Sequence, residues 1–286
     1  MRASVFDGKY YKRNFEELDN QIRESFISDF GPGELPIKRG EGLVNGIIVP
    51  NSFYSIAGPC SAWAYKGLGE ASFAEVYVVV GTNSSSFGNM ISSENWSTPF
   101  GKVSVDEGFG KLLLNSLSFV HVNDIAHKKE FNIEVQLPFL QFVSKDKLHD
   151  LKVLPLILSK DSDYERLRDM GRIIGESERN ICVIAISNLS HRKKFDSLDV
   201  EVDARLAAKQ LDKGAIRLIE NMDSKGFYDY ATGKGLSFDG IGPIVVAIEA
   251  CKLLGSRSSK LLRHYSSREI NNNFDEVINF GSFIFE

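Results

Sequence analysis

The chain has 286 residues, of which 43% are hydrophobic and 25% are charged, a composition typical of a globular protein and not of a disordered or fibrous one. Its formal net charge of -4, with basic runs as short as residues 192–194, excludes the electrostatic footprint of a nucleic-acid-binding protein. No apolar run approaches the roughly 20 residues that a membrane-spanning helix needs. We therefore expect one domain over residues 1–286, in the cytoplasm, that binds neither nucleic acid nor membrane.

The first predicted element is an amphipathic helix that begins after Asn14, whose side chain is placed to cap it. Its apolar positions follow at helical spacing: Phe15, Leu18, Ile22 and Phe26. A buried strand, Gly46–Val49, comes next and leads through a loop at residues 51–54 into a helix that begins near Pro59. A second buried strand is predicted at residues 74–80, which read AEVYVVV.

The rest of the chain continues this alternation. Helices are predicted at residues 106–117, 162–175, 199–221, near 227 and at 243–254, and strands at 151–158, 181–186 and 276–285, with residues 260–265 as a further segment of no assigned type. A helical stretch at 131–142 has a boundary near Leu137, because Pro138 cannot continue a helix that starts before it. The last strand is expected to be antiparallel or at an edge. Strands that alternate with helices predict an α/β domain with a mixed, largely parallel central sheet flanked by helices.

The three cysteines, Cys60, Cys182 and Cys251, match no disulfide, metal or redox spacing. They are predicted to be free thiols in a reducing compartment. Cys182 and Cys251 lie in apolar runs typical of core positions. Cys60, beside Pro59 at the expected helix start, is the only one placed for reactivity.

Three polar loops follow buried strands, at residues 51–54, 81–88 and 187–191. Ligands of open α/β sheets bind in the crevice beyond the carboxyl ends of the strands. Because all three loops lie at such ends, they are the expected functional site.

Seven segments of the chain carry a resemblance to a known family. They read RASVFDGKYY, GIIVPNSFYSIAGPCSAWAY, VVVGTNSSSFG, STPFGKVSVDE, EFNIEVQLPFLQ, SNLSH and DGIGPIVVAIEA, in this order. Together they resemble the Memo family, whose fold is shared with class III extradiol ring-cleaving dioxygenases. The resemblance covers nearly the whole chain. It implies an extradiol-dioxygenase-like fold with a strand-end pocket that, in typical members, is lined by histidines able to bind iron or copper.

The chain departs from the family at those histidines. Asn51 stands at the histidine of the first loop, Ser84 at that of the second, and Phe131 at that of the E-H-S-x-E segment. Asp239 replaces a pocket cysteine, and His191 is the imidazole that the resemblance leaves in the pocket loops. Because imidazole selects iron, copper or zinc over harder cations, the resemblance implies a degenerate site with no metal cofactor. Iron or copper would need unusual ligands.

Three functions are compatible with this pattern. The first, which we favour, is a pseudoenzyme: a non-catalytic binding or scaffold protein that uses the former active-site cleft for a protein, peptide or small ligand. The second is a metal-independent enzyme in which His191 is the general acid or base and Asp239 assists it. The third is a metal-dependent, dioxygenase-like oxidoreductase with His191, Asp239 and His127 as unusual ligands.

Other polar side chains of the matched segments are expected to contact the ligand. The predicted ligand-binding residues are Asn51, Tyr54, Ser84, Ser85, Asn188 and Glu134. Alternatively, His191 orders its own loop through Asn188, and His127 makes a surface or inter-loop hydrogen bond. The sequence indicates neither the substrate, nor a particular partner, nor the oligomeric state.

Overall fold

A central sheet with helices on both faces organises the computed structural model, which describes residues 1–84, 88–193, 210–233, 238–271 and 276–286. The strands are β1 (Gly46–Val49), β2 (Val76–Asn83), β3 (Asn89–Ile91), β4 (Trp96–Thr98), β5 (Gly101–Val105), β6 (Val120–Val122), β7 (Lys152–Ser159), β8 (Ile181–Ile186), β9 (His191–Lys193), β10 (Ser259–Ser266) and β11 (Glu276–Phe285). The helices are α1 (Phe15–Ile27), α2 (Tyr54–Glu70), α3 (Glu107–Ser116), α4 (Asp124–Lys129), α5 (Leu137–Val143), α6 (Tyr164–Gly175), α7 (described over 210–220), α8 (Ser224–Gly233), α9 (Ile241–Leu253) and α10 (Arg268–Asn271).

The main path through the sheet has the strand order β10-β11-β1-β8-β2-β7-β3-β6. The four central strands β1, β8, β2 and β7 are parallel to one another. Strand β11 is antiparallel to β1 and β10, and β3 is antiparallel to β7. Strands β4 and β5 form a hairpin that joins β7 through β5, while β9 pairs with β11. The predicted mixed, largely parallel sheet flanked by helices is therefore confirmed.

Alternate side chains of the central strands enter two hydrophobic cores on opposite faces of the sheet. Ile48 of β1 packs in the core that α3, α6 and α9 cover, whereas Ile47 and Val49 pack in the core that α1, α2 and α5 cover. Parallel strands that are buried on both faces must be apolar at every position. The continuous apolar runs of β2, β7 and β8 follow from this requirement.

Helix α2 begins at Tyr54, earlier than the predicted start, so that Pro59 lies inside it. Proline removes one intrahelical hydrogen bond but is compatible with the helical φ angle. Gly58 allows α2 to lie close to α1, because a Cβ at this position would be 2.5 Å from Ser25 Oγ. Most of α2 is buried, and this packing outweighs the lost hydrogen bond.

Most other predicted elements are confirmed, with small differences at their ends. The boundary near Leu137 is present, since a short 3-10 turn, Glu134–Gln136, precedes α5. Helix α9 begins at Ile241, two residues before Pro243. Strand β11 is antiparallel as predicted, but β10 and β1 flank it, so that it is not an edge. The first part of the helix predicted at 199–221 lies outside the described residues.

Short strands were missed in the sequence. Strands β3, β4 and β6 each contain three residues, too few to show an alternating pattern. Their positions depend on pairing with strands that are distant in the chain. Among the described residues, no helix is both long enough and apolar enough to cross a membrane.

Candidate functional site

A small polar cavity lies at the carboxyl ends of β1, β2, β7 and β8, where the strand-end loops predicted a site. We call it the strand-end cavity, and its volume is about 150 Å³. Its lining residues are Asn51, Thr82, Ser84, Phe131, Asn132, Lys160, Ile186 and Asp239. The structure therefore brings together three of the predicted site residues, Asn51, Ser84 and Asp239.

Asn188 connects two of the loops that line this cavity. Its Oδ1 accepts a hydrogen bond from the backbone N–H of Asn51 at 2.9 Å. Its Nδ2 donates to the carbonyl oxygen of Asn51 at 2.9 Å and to Oδ2 of Asp239 at 2.7 Å. Asn188 is buried and does not line the cavity. Its side chain thus positions Asn51 and Asp239, and its predicted contact with a ligand stays a prediction.

A second wall of the cavity is built around the buried carboxylate of Glu130. This carboxylate accepts hydrogen bonds from the backbone N–H and the hydroxyl of Ser84, at 2.6 and 2.9 Å. Asn132 donates its Nδ2 to the carbonyl oxygen of Thr82 at 2.6 Å. Gly81 gives Asn132 the space to do so, because a Cβ at Gly81 would lie 2.4 Å from Asn132 Oδ1. The glycine is required for close approach and not for an unusual backbone angle.

Two amide oxygens of the cavity residues have no hydrogen-bond donor among the described residues. They are Oδ1 of Asn51 and Oδ1 of Asn132, and both atoms are buried. Exchanging the amide nitrogen and oxygen of Asn132 would lose two hydrogen bonds, because its Nδ2 donates to a carbonyl oxygen and to a carboxylate. An unsatisfied buried acceptor costs about 1–3 kcal/mol. A ligand that donates hydrogen bonds to these oxygens would recover part of that cost.

The charged groups of the cavity are Asp239 and Lys160. Burial raises the pKa of the Asp239 carboxyl, while the hydrogen bond from Asn188 and the nearby His191 and Lys160 act in the opposite direction. In the described residues, neither Asp239 nor Lys160 forms an ion pair, with each other or with another side chain. The sequence reading missed Lys160, although it directly follows β7 and the strand-end rule would have found it.

Aromatic rings close one side of the strand-end cavity. The ring of Tyr10 stacks between those of Phe53 and Phe131, at centroid distances of 4.7 and 4.3 Å. Phe6 meets Phe131 edge-on at 6.0 Å. Phe131 lines the cavity, whereas Phe53 is 40% exposed. No sequence pattern indicated that Tyr10, from the first residues of the chain, would support this wall.

A second cavity, of about 270 Å³, shares Thr82, Lys160 and Asp239 with the strand-end cavity. We call it the adjoining cavity. Its other lining residues are Leu158, Ser159, Ser162, Leu167, Tyr228, Thr232, Phe238, Ile241, Gly242 and Pro243. Most of these side chains are apolar and come from β7, α6, α8 and the start of α9. The strand-end cavity is by contrast lined mainly by polar groups.

Comparison with known proteins assigns the chain to a family. The family described as "Memo-like protein" matches residues 2–284. The chain belongs to the Memo family. It is 31% identical to a MEMO1 family protein of Methanobrevibacter smithii over 100% of both chains, and 31% identical to one of Thermotoga neapolitana over 99% of both. Among solved structures, an uncharacterized protein from Escherichia coli K12 matches with a TM-score of 0.48 and 12% identity, over 85% of this chain and 100% of that chain.

The side chains at the positions where the resemblance implies pocket histidines do not fit an iron or copper ion. Asn51 and Ser84 offer an amide and a hydroxyl, and Phe131 offers no donor atom. Asp239 is the one carboxylate among the residues that line the strand-end cavity. Within the described ranges, no group of three or more His, Cys, Asp or Glu residues is placed to hold a metal ion. Redox-active metals favour imidazole and thiolate ligands, which this donor set lacks.

The two residues of the predicted catalytic pair, His191 and Asp239, each form a hydrogen bond with a different residue. The Nε2 atom of His191, at the start of β9, lies 2.7 Å from Oε1 of Glu276 in β11. Asp239 is bonded to Asn188, and no hydrogen bond joins it to His191, although the structure describes both residues. His191 is near enough for its charge to lower the pKa of Asp239, but it does not line the strand-end cavity. Its hydrogen bond to β11 replaces the loop contact through Asn188 that the sequence suggested.

Glu134, a predicted ligand-binding residue of this Memo protein, holds the start of the chain instead. It is fully buried and forms an ion pair with Arg2, with 2.5 Å between Arg2 Nη1 and Glu134 Oε2. Its Oε1 accepts a hydrogen bond from the hydroxyl of Tyr11 at 2.9 Å. The backbone N–H groups of Val5 and Phe6 also donate to it, at 3.0 and 2.8 Å. We call Arg2, Tyr11 and Glu134 the N-terminal anchor.

Tyr54 also lies in the core and does not line the cavity. Its hydroxyl donates to the carbonyl oxygen of Val135 at 2.5 Å, and the residue is 3% exposed. Burial raises its pKa well above the ordinary value. The early start of α2 turns this side chain inward, which the sequence alone did not indicate. The sixth predicted ligand-binding residue, Ser85, lies outside the described residues.

His127 and the cysteines are buried as well. His127 is fully buried in α4, where its Nε2 donates to the carbonyl oxygen of Met90 at 3.2 Å, and burial lowers its pKa to about 4. This hydrogen bond joins α4 to β3 inside the core, and it is neither the surface nor the inter-loop hydrogen bond that the sequence suggested. All three cysteines are free and buried. Burial raises the pKa of the Cys60 thiol to about 12. A high pKa disfavours the reactive thiolate, so the reactivity suggested by the position of Cys60 is not supported.

Proposed function

We propose that this Memo family protein has lost the family's redox-metal site and acts as a non-catalytic binding protein, with the strand-end cavity as its ligand site. The observation that carries this proposal is the donor set of the cavity. Asn51 and Ser84 replace two expected imidazoles, and the amide oxygens of Asn51 and Asn132 are left without donors. Such a cavity is suited to hydrogen bonding with a ligand and poorly suited to soft metal coordination.

The contacts of the remaining reactive groups support a non-catalytic role. General acid–base catalysis requires a group within hydrogen-bond reach of the substrate. His191 is bonded to Glu276, Cys60 is fully buried, and His127 is enclosed in the core. A small ligand fits a cavity of about 150 Å³ that the rings of Tyr10 and Phe131 close on one side better than a protein or peptide does.

We place the protein in the cytoplasm as part of the same proposal. Three free thiols are in keeping with a reducing compartment, where cysteines stay unpaired. No cofactor is proposed. The iron- or copper-dependent oxidoreductase with His191, Asp239 and His127 as ligands is disfavoured, because His127 is buried away from the residues that line the strand-end cavity.

Metal analysis tests this proposal directly. The protein is dialysed anaerobically against Fe(II), Cu(I) and Zn(II) in turn, passed through gel filtration, and analysed by inductively coupled plasma mass spectrometry. We expect far less than one equivalent of each metal. The positive control is the triple variant Asn51→His, Ser84→His, Asp239→Cys, which returns imidazole and thiolate donors to one cavity and is expected to retain metal.

The proposal would be overturned if the unmodified protein retains stoichiometric metal and the Asp239→Asn variant does not. Retention that survives this substitution but is lost in His149→Gln, at an exposed surface site beside Asp150, would be adventitious and would leave the proposal standing.

A further inference from the structure

The strand-end cavity and the adjoining cavity together offer three kinds of recognition in one place. Residues with unpartnered amide oxygens and a carboxylate line the first, an apolar wall lies in the second, and Lys160 lines both. This arrangement deepens the proposed function, on which it rests, by indicating the chemical class of the ligand.

The acceptors of the strand-end cavity call for a ligand with several N–H donors and a positive charge. Asn132 is 4% exposed, and its Oδ1 has no donor among the described residues. Oδ1 of Asn51 is likewise without a donor. Asp239 adds a negative charge that no described cation neutralises through an ion pair. An ammonium group, which carries three donors and no acceptor, has the charge and the hydrogen-bond donors that these three oxygens lack.

A negative group is favoured at the boundary between the cavities. Lys160 has no carboxylate partner among the described residues, and it lines both cavities. The first turn of α9, with Ile241 and Gly242 on the wall of the adjoining cavity, has no side-chain cap at Gly240. Uncapped backbone N–H groups at a helix N-terminus attract anions, and here this turn lines the same cavity as Lys160.

The remaining wall of the adjoining cavity is apolar. Leu158, Leu167 and Phe238 line it together with Pro243. Its volume of about 270 Å³ exceeds that of the polar cavity. An aliphatic or aromatic side chain of a ligand would lose contact with water on entering this space, which is favourable.

We propose that the two cavities together bind a free α-amino acid with an apolar side chain. The α-ammonium group contacts Asp239 and the amide oxygens of Asn51 and Asn132. The carboxylate contacts Lys160 at the boundary, and the side chain occupies the adjoining cavity. No bond is made or broken.

Isothermal titration calorimetry with matched ligands tests this arrangement. L-Leucine is compared with 3-methylbutylamine, which lacks the carboxylate, and with N-acetyl-L-leucine, which lacks the ammonium group. L-Phenylalanine and its two corresponding derivatives form a second series. We expect at least one of the two amino acids to bind, and removal of either charged group to weaken binding by about tenfold or more.

Variants test which residue of the protein recognises each charged group of the ligand. Lys160→Gln is expected to weaken binding of the amino acid by about tenfold while leaving binding of the amine unchanged. Asp239→Asn, which can still accept the hydrogen bond from Asn188, is expected to weaken both. Lys147→Gln removes an exposed lysine elsewhere and is expected to change neither.

Four results would overturn the inference. An amine that binds as tightly as its amino acid, or equal binding by the Lys160→Gln variant, would show that the carboxylate is not recognised. Absence of amino-acid binding at millimolar concentration, in protein that also retains no metal, would overturn this inference alone and leave the proposed function standing. Stoichiometric metal that depends on Asp239 would overturn both.

Discussion

The N-terminal anchor and the strand-end cavity are both rich in buried polar groups, yet they differ in how those groups are satisfied. In the anchor, the carboxylate of Glu134 receives donors from Arg2, Tyr11 and two backbone N–H groups. In the cavity, amide oxygens of Asn51 and Asn132 receive none from the described residues. Both regions come from segments that match the Memo family.

The difference separates polar groups that stabilise the fold from polar groups that, in the proposed function, contact a ligand. A buried charge that has a full set of partners is costly to disturb, because removing one partner leaves the other uncompensated. A buried acceptor without a donor already costs stability in the free protein, and a bound ligand can remove that cost. Substitutions in the anchor should therefore reduce stability more than substitutions in the cavity do.

The largest effect is expected for Glu134→Gln in the anchor. The substitution leaves the guanidinium of Arg2 buried without a counter-charge, and breaking a buried pair in this way costs about 3–5 kcal/mol. Urea denaturation followed by fluorescence measures the loss. Glu75→Gln is the matched control, because it breaks an exposed pair with Arg179 and should cost about 0–1 kcal/mol. Equal losses in the two variants would contradict the structural role of Glu134.

His127, which neighbours the anchor, is expected to make stability depend on pH. Its pKa is about 4 in the folded protein, compared with about 6.5 in an unfolded chain. As pH falls through this window the unfolded chain takes up a proton that the native protein does not, so the free energy of unfolding falls, by on the order of 3 kcal/mol.

His127→Gln should remove this part of the acid sensitivity. The control His121→Gln, at an exposed position, should retain it. Chemical denaturation at several pH values measures both variants. The expectation fails if the pH profiles of the two variants coincide.

A smaller effect is expected for Gly81→Ala beside the strand-end cavity. The new Cβ would lie 2.4 Å from Asn132 Oδ1 and displace that side chain from the carbonyl oxygen of Thr82. Overpacking of this kind costs about 1–3 kcal/mol. Gly42→Ala is the control, since no atom lies within 4 Å of the Cβ position there. Thermal denaturation of both variants should show a lower Tm for Gly81→Ala alone.

The smallest effect concerns Asp239. Burial raises its pKa in the folded protein, so that the native state loses stability relative to the unfolded chain as pH rises and the carboxyl ionises. Asp239→Asn cannot ionise, and its stability relative to the unmodified protein should increase from acidic to neutral pH. Asp29→Asn, at an exposed position, provides the control. If the stability difference between Asp239→Asn and the unmodified protein does not change with pH, burial does not raise the pKa of Asp239 as described.

The sequence by itself determined the fold class and the family, and it indicated the approximate place of the candidate site. The apolar runs of β2, β7 and β8 and the helical stripe of α1 were recognisable because burial on both faces, or on one helix face, constrains every position locally. The strand-end rule then located the loops of Asn51 and Ser84 without knowledge of any contact, whereas the family resemblance pointed to Asp239.

Only the tertiary structure decided which polar side chains face the cavity. Glu134 and Asn132 belong to the same short segment, yet Glu134 binds Arg2 from the start of the chain, while Asn132 lines the cavity because Gly81 leaves room for it. Likewise His191 contacts Glu276 of β11 in place of Asp239. A hydrogen-bond partner is chosen by the packing of segments that are distant in the chain, and local sequence patterns carry no information about that packing.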